Sequence, residues 1–212
     1  MELSFKNILV VGLGLIGGSI LKTIKELNIP LEVYGLDLHE EVTKEANKIG
    51  LINNFDNQLK KIEEDCLIIF SVPSLSFERA FKLIEGSFDD EKVIFTDTFS
   101  SKSKLLEFLE GNADISEKFV MSHPIAGSEK SGLMNSLPFL FKDKLVLVSH
   151  LNSSSENNNV IKVKSFWEQL GSKVSIMDPV EHDKVLSKTS HLPHVISFAL
   201  MHFLEKELGE KV

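Results

Sequence analysis

Hydrophobic and polar positions follow two alternating patterns along this chain. Short apolar runs are separated by stretches in which apolar residues recur every three or four positions. The runs predict strands at 8–11, 32–36, 67–71, 93–96, 119–122, 145–149 and 173–176. The intervening stretches predict helices at 16–27, 40–49, 77–84, 102–109 and 159–170. Strands alternating with helices predict an α/β fold with a doubly wound, mostly parallel sheet covered on both faces.

The pattern changes after Pro179. From Val180 to the C-terminus it is helical, and glycine does not interrupt it until Gly209. This stretch is too apolar for a helix that packs on one side only. We therefore expect an α/β domain over residues 1–178 and the start of an all-helical domain over residues 179–212, or a helix buried in a dimer interface.

The first strand leads directly into a glycine motif. Gly12, Gly14 and Gly17 form a G-x-G-x-x-G pattern between an apolar run and a helical pattern. In this context the first glycine permits a tight turn, the second lets the backbone approach a pyrophosphate, and the third lets helix and strand pack closely. The helix N-terminus then faces the phosphates. The motif predicts a Rossmann-type dinucleotide-binding domain, with cofactor contacts from Gly12, Leu13, Gly14, Leu15, Ile16 and Gly17.

Two further strand ends are candidates for cofactor binding. Asp37 ends the second apolar run, twenty residues after Gly17. A carboxylate there can accept hydrogen bonds from ribose hydroxyls and would repel a 2′-phosphate, so we expect NAD rather than NADP. Ser71, Val72 and Pro73 follow the third strand, where they would lie beside the cofactor or simply form a turn that ends the strand.

Two other strand ends carry candidate chemistry. His123 is held between a strand and a loop rich in proline and glycine, and an imidazole there can accept a hydroxyl proton near neutral pH. The segment 96–102 offers hydroxyls and an ammonium group to an anionic substrate. Alternatively, Ser100 or Ser101 caps the helix predicted at 102–109.

Composition narrows the class of protein. The chain has 212 residues and a formal net charge of −8, which argues against a nucleic-acid partner. No apolar run reaches the roughly 20 residues that span a bilayer, so no membrane partner is expected. A single cysteine, Cys66, suits a reducing cytoplasm and is expected to pack in the core. Arg79 is the one arginine.

Five segments occur in a specific order: Gly12–Ser19, Asp97–Lys102, His123–Glu129 (HPIAGSE), His182-Asp183 and Ser190–His194 (SHLPH). Together they closely resemble the prephenate/arogenate dehydrogenase family of tyrosine biosynthesis. The resemblance implies NAD-dependent oxidative decarboxylation of prephenate to 4-hydroxyphenylpyruvate. It also implies a homodimer formed through the C-terminal helical region.

The resemblance also implies roles for individual residues. His123 matches the catalytic histidine that accepts the proton of the ring hydroxyl, and Ser100 matches the serine that hydrogen-bonds both that hydroxyl and the histidine. The full set of expected substrate-binding residues is Ser100, Lys102, His123, Gly127, Ser128, His191 and His194. Phe99 departs from the family, which usually has glycine there. The family's substrate-binding arginine has no counterpart here, because Arg79 lies on a helix of the nucleotide domain.

Several alternatives remain at this point. Arogenate, which carries an amino group where prephenate has a keto group, is an equally possible substrate. A dehydrogenase of small β-hydroxyacids shares the glycine motif, but the HPIAGSE segment argues against it. A non-catalytic NAD-binding or dimerisation module is the alternative outside enzymes. A metal site is not expected at His182, Asp183, His191 and His194, because Pro193 breaks regular helical spacing and no thiolate joins them.

Overall fold

The computed structural model describes residues 4–53, 62, 64–89, 91–151 and 157–209. Its strands are β1 Asn7–Val11, β2 Glu32–Leu36, β3 Cys66–Phe70, β4 Val93–Asp97, β5 Met121–Pro124, β6 Leu145–Ser149 and β7 Lys173–Ile176. Its helices are α1 Leu15–Glu26, α2 Glu40–Lys48, α3 Phe77–Ile84, α4 Ser103–Glu110, α5 Ala113–Ser116, α6 Asn158–Gln169, α7 Pro179–Leu186 and α8 Leu192–Leu208. The predicted strands and helices are confirmed to within two residues at each end, and α5 is additional.

The strands form a sheet that is mostly parallel, as predicted. Strands β2, β1, β3 and β4 lie side by side in that order and are all parallel. A parallel bridge between Phe95 and Phe119 joins this sheet to a second one of order β5, β6, β7. Among the described strands, only the β5–β6 pairing is antiparallel. The carboxyl ends of β1, β3, β4 and β5 therefore meet at one edge, where ligands bind in such sheets.

Apolar residues cover both faces of the sheet. On one face α1 and α6 pack against it, and the indole Nε1 of Trp167 donates to the Ser122 hydroxyl at 3.0 Å. On the other face phenylalanine rings form the core. Phe70 and Phe77 meet edge to face, with ring centroids 4.9 Å apart. Buried strands with few polar atoms explain why the strand runs are almost continuously apolar.

The C-terminal stretch is helical throughout its described residues, as predicted, but the type of helix changes along it. It forms α7, a π-helical turn at Ser187–His191, and then α8, which has Pro193 in its first turn. Asp178 begins α7 by accepting hydrogen bonds from the backbone N–H groups of Val180 and Glu181. Among the described residues, no helix is long and apolar enough to cross a membrane. Residues 1–3 and 210–212 of the two expected domains lie outside the described residues.

Candidate active site

The glycine turn after β1 has the geometry that its sequence predicts. Gly12 has a φ of +97°, and a Cβ atom there would lie 2.7 Å from the Ser71 backbone. A Cβ on Gly17 would lie 2.0 Å from the Gly12 carbonyl oxygen, so only glycine allows α1 to pack this closely on the strand. A Cβ on Gly14, by contrast, would meet no described atom within 4 Å, so the backbone there is open to a ligand.

The start of α1 is arranged to receive an anion. Gly14 is its N-cap, no side chain caps it, and its first turn carries no acidic residue. Asp37 stands beside the turn, because its Oδ2 accepts a hydrogen bond from the Leu13 N–H at 2.8 Å. Uncapped N–H groups favour phosphate, and the nearby carboxylate suits ribose hydroxyls. These residues therefore fit a dinucleotide.

A cleft of about 460 Å³ opens at the carboxyl edge of the sheet. It brings together nine of the residues singled out from the sequence, drawn from the glycine turn and from the ends of β3, β4 and β5. They are Leu15, Ile16, Ser71, Val72, Pro73, Ser100, His123, Gly127 and Ser128. The strand order thus places the expected cofactor segments and the expected catalytic pair around one space.

His123, on β5, is the titratable group of this cleft. Its side chain is 9% exposed, and its Nδ1 lies 2.8 Å from Nε2 of His182 on α7. Burial, reinforced by the positive charge of Lys102 and by two neighbouring histidines, lowers the pKa of His123 to about 3. The imidazole is therefore neutral near neutral pH and can accept a proton.

The loop after β4 places Ser100 in the cleft without the expected hydrogen bond. Ser100 is exposed, and among the described residues Ser100 and His123 do not hydrogen-bond to each other. Phe99 replaces the usual glycine at no conformational cost, because it is not among the residues with positive φ. Its ring is buried against Phe77.

Lys102 is not placed as a substrate ligand, which corrects the expectation from the sequence. Its side chain is 0% exposed, and its ammonium group donates to Asp97 at 2.5 Å and to the Ser122 carbonyl oxygen at 2.6 Å. Burial raises the pKa of Asp97 and lowers the pKa of Lys102, so each charge depends on the other. Lys102 therefore links β4 to β5 at the residue before His123.

The expected serine cap of α4 is also wrong. No side chain of the 100–102 segment caps this helix. Instead Asp183, from α7, accepts hydrogen bonds from the backbone N–H groups of Lys102 and Ser103 and from the hydroxyls of Ser101 and Ser103. Although burial alone would raise its pKa, these bonds and one from His182 lower the pKa of Asp183 to about 2. Asp183, 81 positions away, thus supplies the cap, a role that the sequence does not reveal.

The remaining candidates lie at different distances from the cleft. His191 is half-buried in the π-helical turn, close enough that its charge would lower the pKa of His123. His194 is exposed on α8, and Arg79 is exposed on α3; neither lines the cleft. Cys66 is buried on β3 as expected, and burial raises the pKa of its thiol to about 12. In the described ranges, no group of three or more His, Cys, Asp or Glu side chains is placed to hold a metal ion.

Comparison with known proteins shows two family matches. Residues 20–176 match the nucleotide-binding domain of prephenate dehydrogenase, and residues 178–212 match the dimerization domain of prephenate dehydrogenase. A prephenate dehydrogenase of Lactococcus lactis is 35% identical over 198 residues, covering 92% of this chain and 53% of that protein.

Two solved structures are also similar. Prephenate dehydrogenase from A. aeolicus, in complex with hydroxyphenyl propionate and NAD+, has a TM-score of 0.84 and 31% identity, covering 100% of this chain and 73% of that one. Synechocystis arogenate dehydrogenase has a TM-score of 0.72 and 25% identity, covering 97% and 70%. The chain spans about half the length of the first curated relatives it matches.

Proposed function

Because the chain belongs to the prephenate dehydrogenase family, we propose that it takes part in the NAD-dependent oxidative decarboxylation of prephenate to 4-hydroxyphenylpyruvate, a step of tyrosine biosynthesis. One observation carries the proposal beyond family membership. A single cleft contains the end of the glycine turn, the Ser100 hydroxyl and the neutral imidazole of His123. These are a cofactor cradle, a hydroxyl partner and a base at one edge of the sheet.

The glycine turn and Asp37 are proposed to hold the cofactor. The N–H groups at the start of α1 would bind the pyrophosphate, and Asp37 would accept hydrogen bonds from the adenosine ribose. Ser71, Val72 and Pro73 line the cleft and would flank the nicotinamide side. When bound, NAD+ supplies the acceptor for a hydride. Asp37 favours NAD over NADP, because its carboxylate would repel a 2′-phosphate.

His123 is proposed to be the general base. The ring hydroxyl of prephenate loses its proton to the imidazole as hydride leaves the carbon that bears the hydroxyl. The ring carboxylate departs as carbon dioxide, its bonding electrons complete the aromatic ring, and the phenolate oxygen takes back a proton from the His123 imidazolium. Removing the proton in step with hydride transfer avoids a protonated ketone of high energy. The low pKa keeps His123 neutral near neutral pH, so a ring nitrogen has a lone pair that can accept the proton.

Ser100, Gly127 and Ser128 are proposed to contact the substrate directly, because they line the same cleft as His123. Ser100 is exposed and can rotate its hydroxyl toward the substrate hydroxyl. His191 is proposed to lie at the substrate's far side, from the π-helical turn, and His194 beyond it on α8. Lys102 does not line the cleft and is proposed to act indirectly, through Asp97 and the backbone of β5.

Arogenate is a second candidate substrate. It differs from prephenate by an amino group on the side chain, far from the reacting ring carbon. The similarity to Synechocystis arogenate dehydrogenase favours keeping it as a candidate. The His123 and Ser100 chemistry would be the same for both substrates, so the choice depends on residues that contact the side chain.

We also propose that the chain forms a homodimer through its C-terminal helices and acts in the cytoplasm. The match to a dimerization domain supports the first part. Apolar side chains exposed along α8, such as Phe198 and Val195, are of the kind that a partner helix covers.

The proposal is tested by NADH formation. The purified chain is mixed with NAD+ and prephenate, and in parallel with NAD+ and arogenate. His123→Ala should lower kcat by roughly 10²–10⁴-fold, the usual contribution of a general base. His150→Ala is a matched control, because His150 is also buried but does not line the cleft.

Calorimetric titration with NAD+ separates the possible failures. Turnover with prephenate that depends on His123 supports the proposal, and faster turnover with arogenate assigns the second substrate. Binding of NAD+ without turnover of either substrate would contradict the catalytic proposal and favour a non-catalytic NAD-binding module. Failure to bind NAD+ would contradict both.

A further inference from the structure

Three side chains form a continuous line of hydrogen bonds that ends in the cleft. Asp183 Oδ1 lies 2.8 Å from Nδ1 of His182, and Nε2 of His182 lies 2.8 Å from Nδ1 of His123. His182 is 0% exposed and His123 is 9% exposed, so little water competes for these atoms. Two of the three residues come from α7 and the third from β5. The line therefore crosses between separate elements and has its open end at Nε2 of His123.

The positions of the protons along this line follow from chemistry. Asp183 is ionised near neutral pH, since its pKa is about 2, and a carboxylate only accepts hydrogen bonds. The ring nitrogen that faces it, Nδ1 of His182, must therefore carry a hydrogen. Burial lowers the pKa of His182, so the ring is neutral and its Nε2 has only a lone pair. This lone pair must accept the hydrogen of His123 Nδ1.

This assignment determines the protonation of the other ring nitrogen of His123, Nε2. A neutral imidazole with a hydrogen on Nδ1 has none on Nε2. The Nε2 lone pair is then free, and the ring that carries it lines the cleft with Ser100. In the opposite tautomer Nε2 would carry a hydrogen and could not accept one. The same ring in the same place would then be unable to act as a base.

We propose that His182, oriented by Asp183, is a positioning residue that fixes His123 in the tautomer with hydrogen on Nδ1 and so directs its basic nitrogen into the cleft. The proposal rests on the proposed function in assigning His123 as the base, but the tautomer is a property that can be measured without turnover. The Asp183 carboxylate has a second effect. It favours the imidazolium that forms when His123 accepts a proton, against the opposing charge of Lys102.

Asp183→Asn is the decisive variant. An asparagine can still accept hydrogen bonds from the α4 N-terminus through its carbonyl oxygen, while its amide donates to Nδ1 of His182. His182 would then carry its hydrogen on Nε2 and donate it to His123, which reverses the tautomer of His123. The ¹⁵N shifts of histidine ring nitrogens distinguish the two tautomers. We expect Nδ1–H on His123 in the unaltered chain and Nε2–H in Asp183→Asn.

His182→Gln and His182→Leu form a matched pair. Glutamine can place an amide oxygen near the position of Nε2 and accept from His123 Nδ1, whereas leucine offers no acceptor. Glutamine should therefore retain the Nδ1–H tautomer, and leucine should leave a mixture. In NADH assays, Asp183→Asn should lower kcat by roughly 10²–10⁴-fold with KM and NAD+ affinity little changed. His182→Leu should lower kcat less, because a mixture retains part of the active tautomer, and His182→Gln should recover most of the rate.

The two readouts separate the inference from the proposed function. If the ¹⁵N spectra show the expected tautomers but the unaltered chain turns over neither substrate, the proposed function fails and the tautomer assignment stands. If His123 carries its hydrogen on Nε2 in the unaltered chain, or if Asp183→Asn leaves the tautomer unchanged, the inference is overturned. A loss of kcat in His182→Gln as large as in His182→Leu would overturn the positioning role.

Discussion

The two C-terminal helices differ sharply in how they relate to the rest of the molecule. Helix α7 buries Pro179, His182 and Leu186 and sends the Asp183 carboxylate to the N-terminus of α4. Helix α8, which follows after one π-helical turn, has no buried residue. Its exposed side chains include Phe198, which is 76% exposed. Both helices belong to the region that matches a dimerization domain.

This difference shows that the site around His123 extends past the boundary between the two family matches, residues 20–176 and 178–212. Helix α7 lies after the nucleotide-binding region in sequence, yet His182 and Asp183 complete the surroundings of His123. Helix α8 contributes nothing of that kind within the described residues. The π-helical turn between them holds His191, and π-helical segments are frequent at functional sites.

Removing the hydrogen bonds by which Asp183 attaches α7 to α4 should have the largest effect on stability. Asp183→Leu would leave the N–H groups of Lys102 and Ser103, the hydroxyls of Ser101 and Ser103, and a ring nitrogen of His182 without their acceptor. We expect a loss of about 3 kcal/mol in the free energy of unfolding. Urea denaturation measures it. Asp178→Leu is the matched control, because Asp178 caps only its own helix, and it should lose about 1 kcal/mol.

Equal losses in the two variants would contradict the view that α7 is fixed to the nucleotide domain through Asp183. A loss at Asp178 larger than at Asp183 would indicate that the helix itself, rather than its contact with α4, limits stability.

The Asp183 contact also shows what the sequence could and could not predict. The strands follow from apolar runs, and the turn at Gly12 follows from local spacing, because both depend on near neighbours. The role of Asp183 depends on a residue 81 positions away. Nor could the sequence distinguish Lys102 at the substrate from Lys102 buried against Asp97, because both readings place it in the same loop.

His182 had a signal that sequence reasoning did not use. Pro179, His182 and Leu186 are spaced by three and four residues, which places them on one face of a helix. If that face is buried, the histidine must find a hydrogen-bond partner. The adjacent Asp183 and the distant His123 supply partners, but only the fold identifies His123 as one of them.

Acidification should destabilise the folded chain through His123 and His182. Burial lowers the pKa of His123 to about 3 and also lowers the pKa of His182, whereas an unfolded histidine titrates near 6.5. Below about pH 6.5 the unfolded chain therefore binds more protons than the folded chain. The free energy of unfolding should fall as pH falls from about 6.5 toward 3, by at most about 1.4 kcal/mol per pH unit for each histidine.

Urea denaturation at a series of pH values measures this slope. His182→Gln removes one of the two groups and should reduce the slope between about pH 6.5 and 4.5. The groups whose charges act on the pKa of His123 are Lys102, His182, His191 and Asp183. Asp183 stays ionised in the folded chain, since its pKa is about 2. An unfolded aspartate takes up protons mainly near pH 3.9, so Asp183 adds little to the slope above about pH 4.5 and adds to it below that pH. A stability that is constant over this range would show that the histidines are not held neutral.

Substitutions at two neighbouring serines, Ser100 and Ser101, should affect catalysis and stability differently. The Ser101 hydroxyl donates to Asp183 at 3.0 Å, whereas Ser100 lines the cleft. Ser101→Ala should cost about 1 kcal/mol in the free energy of unfolding, the usual value of one hydrogen bond. Ser100→Ala should leave stability unchanged and lower kcat. Denaturation and NADH assays on both variants check this, and the reverse assignment would contradict the placement of the loop.

The smallest effect on folding should come from α8. Phe198→Ser removes a side chain that is 76% exposed, so at concentrations where the chain is monomeric it should change the free energy of unfolding by less than about 0.5 kcal/mol. Leu186→Ser, on the buried face of α7, should cost several times more, because it removes an apolar side chain from the core.

Light scattering measures the second property of α8, the oligomeric state. If α8 is the dimer surface, Phe198→Ser should shift the population toward monomer, and the stability of the unaltered chain should rise with its concentration. A large loss of stability in the monomeric variant would mean instead that α8 packs on its own chain, and the contrast between the two helices would fail.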